Sequence, residues 1–193
     1  DGFGYWNYLV NDNIHIESVQ LRSPKLFYNH NSSIPKNKYK YSTLEQLKKE
    51  IKVGRFNVQN GELHIKDIET DSLLLHTSNI TANVMDIYLS SKSVKRRIPF
   101  NYYDYNLSFN DLFYTLGNYE HLKMSSANIT QEKAAFNQMK VVTKYSKEKL
   151  NQMISIERDH FDISIPSLVL EAQEFGYRSD SIFYFKSPKV IFE

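Results

Sequence analysis

The chain has no cysteine among its 193 residues. Disulfide scaffolds, Cys-based metal sites and thiol nucleophiles are thereby excluded, while oxidising and reducing compartments both stay open. Glycine and proline are scarce, at six and five residues. Neither a phosphate-cradling glycine loop nor a Gly-x-Ser-x-Gly nucleophile elbow occurs. Charge of one sign is also missing: 24 Lys and Arg stand against 22 Asp and Glu, a net charge of +2, which is too little for a protein whose main partner is a nucleic-acid duplex. The longest apolar runs, such as Leu73-Leu74-Leu75, are too short to span a bilayer as a helix. No signal peptide or initiator Met opens the chain, which begins Asp1-Gly2-Phe3-Gly4; the expectation is a processed or excised piece of a longer protein. Tyrosine and phenylalanine, by contrast, are plentiful at 14 and 12 residues, and 41% of the chain is hydrophobic. That content supports a core and argues against wholesale disorder. The length suits one domain over residues 1–193, or a stretch of a longer repeat.

Apolar residues alternate at period two. Ile14 and Ile16 lead to Val19 and Leu21; Phe56 and Val58 lead to Leu63 and Ile65; Ile163 and Ile165 lead to Leu168 and Leu170. Polar residues stand between them, as in strands with one dry and one wet face. The Asn60-Gly61 pair reads as a two-residue type I′ hairpin turn, because both central positions of that turn need positive φ. On that reading Val58 faces Leu63 and Phe56 faces Ile65. The template is then two alternating apolar residues, a four-residue gap and two more. It recurs at Val19, Leu21 with Leu26, Tyr28; at Leu73, Leu75 with Ile80, Ala82; at Leu112, Tyr114 with Tyr119, where His121 breaks the last place; at Ala127, Ile129 with Ala134, Phe136; at Leu168, Leu170 with Phe175, Tyr177; and at Phe183, Phe185 with Val190, Phe192.

Residues 58, 114 and 170 hold equivalent places in these matches, and residues 21, 75, 129 and 185 hold the companion place. The spacing predicts a repeat of roughly 55 residues. Arg22-Ser23-Pro24-Lys25 resembles Lys186-Ser187-Pro188-Lys189. Proline bars a type I′ turn there, so these copies are either wider turns or one bent strand carrying a bulge. The connectors are polar. Ser42 followed by Glu45 has capping-box spacing, and Ser146 caps a second short helix beginning near Lys147. A further short helix is expected over residues 5–10.

A sheet with one apolar face must cover it with a second sheet, a helix, closure into a barrel or a ligand. Short, sparse helices cannot do so. A β-sandwich or barrel would be self-covered; a serial repeat favours an open trough, because stacked units extend in one dimension. The fold expected is mainly β, a curved antiparallel sheet with short helical connectors forming a β-groove, with a β-sandwich as the alternative.

Ile14-His15-Ile16-Glu17-Ser18-Val19-Gln20-Leu21 followed by Pro24-Lys25-Leu26 resembles the recurring strand unit of AsmA-like envelope proteins of Gram-negative bacteria. The segment from Ile51 to Leu63 resembles another copy. The stretch from Lys144 to Ile165 is similar to a connector and strand of that family. The resemblance covers most of the chain in weakly specific β units. It implies kinship with bridge-like lipid-transfer proteins, a long groove with an apolar floor, a periplasmic location, tethering by an anchor not present here, and a part in phospholipid movement or outer-membrane homeostasis. No catalytic residue carries over.

The expected floor comprises Val19, Leu21, Leu26, Tyr28, Phe56, Val58, Leu63, Ile65, Leu168, Leu170, Phe175, Tyr177, Phe183 and Phe185, whose role is to give acyl chains a dry, non-directional bed. The expectation is thus a non-enzymatic lipid-binding protein with no cofactor or metal, with envelope proteins as possible partners. The runner-up is a structural or interaction module with a self-covered core. The six His show no His-x-x-x-His spacing, and His15 and His64 fall on wet faces. Asp67, Glu69 and Asp71 read as a solvated turn before a cation site. Glu157, Asp159 and Asp162 have nothing that fixes a carboxylate separation. Lys36, Lys38, Lys40, Lys48, Lys49, Lys52, Lys95, Arg96 and Arg97 make two connectors basic, to attract anionic head groups or to blunt sheet edges. Trp6 with Tyr5 and Tyr8 reads as an interfacial anchor or a core cap, and Tyr102, Tyr103 and Tyr105 as an aromatic-rich strand start.

Overall fold

The computed structural model describes residues 13–31, 33, 50–93, 96, 98–156, 158–178 and 182–192. The helices expected over residues 5–10 and from Ser42, and most of the basic connector residues, lie outside them. Eleven strands and one helix form among the described residues: β1 (Asn13–Arg22), β2 (Lys25–His30), β3 (Glu50–Asp67), β4 (Leu73–Leu89), β5 (Asp104–Leu116), β6 (Glu120–Thr130), β7 (Lys133–Thr143), α1 (Lys147–Met153), β8 (Asp162–Glu171), β9 (Glu174–Arg178), β10 (Ile182–Lys186) and β11 (Lys189–Phe192). One curved, unclosed sheet runs β1-β3-β4-β5-β6-β7-β8-β11, with β2 also paired to β3, and β9 and β10 make a separate two-stranded sheet. The sheet is mixed: β1 and β2 run parallel to β3, and the other pairs are antiparallel. Among the described residues the second sheet is only the two-stranded β9–β10 ribbon, too small to form the second layer of the sandwich alternative.

Asn60-Gly61 is not a hairpin turn. β3 runs unbroken through it and pairs with β4 on both sides, Val58 with Ala82 and Leu63 with Thr77. Asn60 has φ 53°, so the positive φ that the pair signals is present, but a bulge uses it. At such a bulge two successive side chains share a side and the alternation slips by one. Phe56 and Val58 before the bulge therefore keep the same face as Gly61, Leu63 and Ile65 after it. Space around Gly61 confirms this: a Cβ there would lie 3.1 Å from Val58 Cγ1 and 3.3 Å from Ile80 Cβ.

Neighbouring strands slip together. Asn79, Asp111 and Gln138 have φ of 49°, 52° and 50°, and the registers set Asp111 level with Ser125, Gln138 and Pro166. The result is a crease across the sheet. It is written in Asn, Asp, Ser, Gln and Pro because short polar residues tolerate the left-handed region and Pro gives up no ladder donor at a bulge. A second crease crosses Glu17, Gly54 and Asp86 (φ 52°), between Ile16 and Val19, Val53 and Phe56, and Val84 and Ile87. The creased strand, with apolar residues at i, i+2, i+5 and i+7, is the unit that recurs from strand to strand; the 56-residue series joins Val58 and Tyr114 with Leu170 on a strand running the opposite way.

Ser23-Pro24 takes the bent-strand alternative. β1 and β2 flank it on the same side of β3, Ser23 has φ 48°, and the break is bridged by Ser23 N donating to Gln59 O at 2.7 Å and Glu62 N donating to Pro24 O at 2.8 Å. Ser187-Pro188 marks the matching break where β10 ends and β11 joins β8. Both Ser-Pro pairs thus sit on opposite edges, where a missing donor is tolerated. α1 forms as expected, with Lys149 N donating to Ser146 Oγ at 3.4 Å and Leu150 fully buried.

The creases give a direct test. Asn60→Gly should leave stability within about 0.5 kcal/mol, whereas Asn60→Val should cost roughly 1–2 kcal/mol, because a β-branched residue resists positive φ. Gly54→Ala puts a Cβ 2.8 Å from the backbone oxygen of Glu17 and should cost about 1–3 kcal/mol. Urea denaturation read by far-UV circular dichroism measures all three.

Candidate functional site: an uncovered apolar face

Directly paired residues share a face, so the registers trace the dry side of the sheet. One row runs Leu21–Val58–Ala82–Leu107–Ile129–Ala134–Leu170–Val190 and crosses eight of the sheet's nine strands without a polar member. The next row holds Phe109–Ala127–Phe136–Leu168–Phe192. Beyond the first crease come Leu112 paired with Met124, and Met139 paired with Ile165.

Little of this surface is sealed. Among the described residues only Val53, Met124, Ala127, Ala134 and Leu150 are buried hydrophobics. Ala127 and Ala134 are small and lie between larger neighbours, Phe109 with Phe136 and Ile129 with Leu170. The flanks are open: Leu26 is 60% exposed, Phe183 56% and Phe192 64%. A sheet that hides its oil behind a second layer would leave such residues nearly dry.

All fourteen floor residues lie in strands. Val19 and Leu21 pair with Phe56 and Val58, and Leu26 and Tyr28 pair with Leu63 and Ile65. Leu168 and Leu170 belong to the two rows above. Phe175 pairs with Phe185 and Tyr177 with Phe183 on the β9–β10 ribbon. That ribbon reaches the dry side of the sheet: the Phe175 ring meets the Tyr105 ring edge-on at 6.3 Å, and Tyr105 meets Tyr102 edge-on at 5.4 Å. Burial raises the Tyr102 and Tyr105 phenols above their ordinary value. At the other end Glu120, two and four residues along β6 from Leu122 and Met124, is buried against Arg158, which donates to Oε1 at 2.8 Å and lies over the Tyr119 ring. An aromatic wall and an ion pair therefore mark the two ends of the face.

Sequence reasoning placed the floor on the outer strands and left out its middle. Ala82, Leu107, Ile129 and Ala134 join the two halves, and the same i, i+2, i+5, i+7 spacing in β4 to β7 was the signal that identifies them. Asp67, Glu69 and Asp71 form a turn: Asp67 Oδ1 accepts from Glu69 N at 3.0 Å, Thr70 N at 2.9 Å and Thr70 Oγ1 at 3.1 Å. Of the aromatic trio, Tyr103 is 73% exposed and stands outside the Tyr102–Tyr105 contact.

The opposite face is wet. Gln20–Asn57–Asn83–Asn106–Thr130 form a polar row backing the apolar one. Beside it Phe27, His64, His76 and Phe113 pair in sequence across β2 to β5. Glu62, His64 and His76 bring potential ligand atoms together within 4.8 Å. Glu62 is held below the usual carboxylate range by its bond to His64 and then by Lys25.

No protein-family model, curated protein or solved structure matches this chain. The class defined by its own geometry is a curved, unclosed β-sheet with a continuous apolar row on one face and a polar row backing it on the other. An uncovered floor should bind 8-anilinonaphthalene-1-sulfonate in the native state. Strong dye fluorescence is expected without denaturant, together with the sharp near-UV dichroism that a molten globule lacks.

Proposed function

We propose that this chain is a section of a non-enzymatic lipid trough that holds phospholipid acyl chains, in an AsmA-like envelope protein working in the periplasm. The supporting observation is the apolar row that crosses eight strands, with only the two-stranded β9–β10 ribbon as a second sheet among the described residues. At about 4.8 Å per strand the row is roughly 34 Å wide. A bilayer core is about 30 Å thick, so one leaflet's acyl chain is roughly 15 Å long. Two chains fit end to end along the row, or side by side across neighbouring rows.

The magnitudes favour a two-chain lipid. Burying one methylene gains about 0.8 kcal/mol, so a chain of about fifteen methylenes gains on the order of 10 kcal/mol. Association costs about 4–15 kcal/mol. One chain is marginal; two are not. The polar outer face and its Asn row keep such a trough in water. Among the described residues no helix is long and apolar enough to cross a membrane, and in this reading tethering belongs to a segment elsewhere in the protein.

A second reading, a structural module within a larger envelope assembly, draws support from the β11 edge, where Val190 and Phe192 stay exposed. The two readings differ in what comes away with the purified protein. Native mass spectrometry followed by lipid extraction should find phospholipid bound to the wild type. Leu170→Asp should reduce it at least tenfold while far-UV dichroism is unchanged. A lipid-free wild type, or unfolding by Leu170→Asp, would count against the trough.

A further inference from the structure

The wet face carries a feature that the trough does not use. We propose that Glu62, His64 and His76 form a binding site for a divalent transition-metal ion, zinc by its ligand chemistry. Glu62 and His64 are two apart on β3 and so project from the same face. His76 stands directly opposite His64 on β4. Their ligand atoms lie within 4.8 Å of one another, and all three side chains are half-buried. The imidazole rings of His64 and His76 are 4.4 Å apart, and His64 Nε2 is 2.7 Å from Glu62 Oε1.

The surroundings hold two of the three in place. Phe27 stacks on His64 at 5.0 Å with only 12° between the planes. Lys25 takes Glu62 Oε2 at 3.1 Å and turns Oε1 toward His64. His76 keeps its Nδ1 enclosed with no hydrogen-bond partner, so this ring enters the cluster with a polar need that the protein leaves unmet. Two imidazoles and one carboxylate are a zinc set with an open fourth position; hard ions such as calcium and magnesium take oxygen ligands. With metal–ligand bonds of about 2.0–2.2 Å, ligand atoms around a tetrahedral ion sit about 3.4 Å apart. The Glu62–His64 pair needs to open by less than an ångström. His-x-x-x-His spacing misses this site because the two His come from paired strands, twelve positions apart.

Three ligands and the neighbouring charge of Lys25 set the expected affinity near micromolar. The probe is zinc chloride, titrated calorimetrically into tag-free, chelator-treated full chain. One ion should bind per chain. His64→Ala and His76→Ala should each weaken binding at least tenfold, whereas His15→Ala and His160→Ala should not. Cobalt substitution should give a visible absorption band that His76→Ala abolishes, and far-UV dichroism checks that each variant is folded. If the wild type takes up no zinc, or if folded His64→Ala and His76→Ala bind it as well as the wild type, the proposal is overturned. Lipid content plays no part in this readout, so it stands or falls apart from the trough.

Discussion

The constraint on which the rest of the molecule depends is that one side of a wide sheet is apolar and that, among the described residues, the only second sheet near it is the two-stranded β9–β10 ribbon, which touches it at Tyr105. A sheet in that position has to be held by its ladders and by side chains packed flat against their cross-strand neighbours. The pairing Ala127–Phe136 and Ala134–Leu170 shows how: small residues nest between large ones, so the centre of the sheet reaches burial without a second layer. Toward both edges this lateral shelter runs out, and Leu26 and Phe192 stand in water.

Keeping every apolar residue on that side requires the creases. A long uncreased strand alternates strictly, and these strands do not. In β3 the apolar sequence steps from Val53 to Phe56 and from Val58 to Gly61 by three, and elsewhere by two. Each three-step falls where a backbone in the left-handed region, or a glycine, lets the chain slip. Because adjacent strands slip at the same level, the ladder survives and the sheet bends instead of breaking. Curvature and one-sidedness thus have one origin.

This also explains what could be read from the chain before its fold was seen. Strand content, the dry-face positions and the Ser146 cap follow from local spacing. The Asn60-Gly61 pair was misread because a type I′ turn and this bulge both put Asn60 at positive φ; only the turn would need it at Gly61 as well. The choice between them is made by β4, whose residues arrive from further along the chain. The Ser23-Pro24 break was legible as one of two options, since proline excludes the tight turn and leaves only the bend or a wider loop. The parallel return of β1 beside β3 had no local signal, because it depends on the long excursion between them. The middle of the floor was missed for a different reason: Ala82 and Ala134 look unremarkable on their own and become part of a surface only through their neighbours. The Glu62–His64–His76 cluster is likewise made by pairing two strands, and no spacing rule within one strand would find it.

The strand order carries a kinetic consequence. From β3 to β8 every strand pairs with the next one along the chain. Loop closure is cheap at each step, so the sheet can close like a zip fastener outward from any one hairpin. With no second layer to wait for, its cooperativity comes from nearest neighbours, as in a linear array. The exceptions are β11, which passes the β9–β10 ribbon to reach β8, and β1 and β2, which can join only once β3 exists and after a long connection has been closed. The amides of β1 and β2 should therefore be the last in the large sheet to gain protection from exchange and the first to lose it.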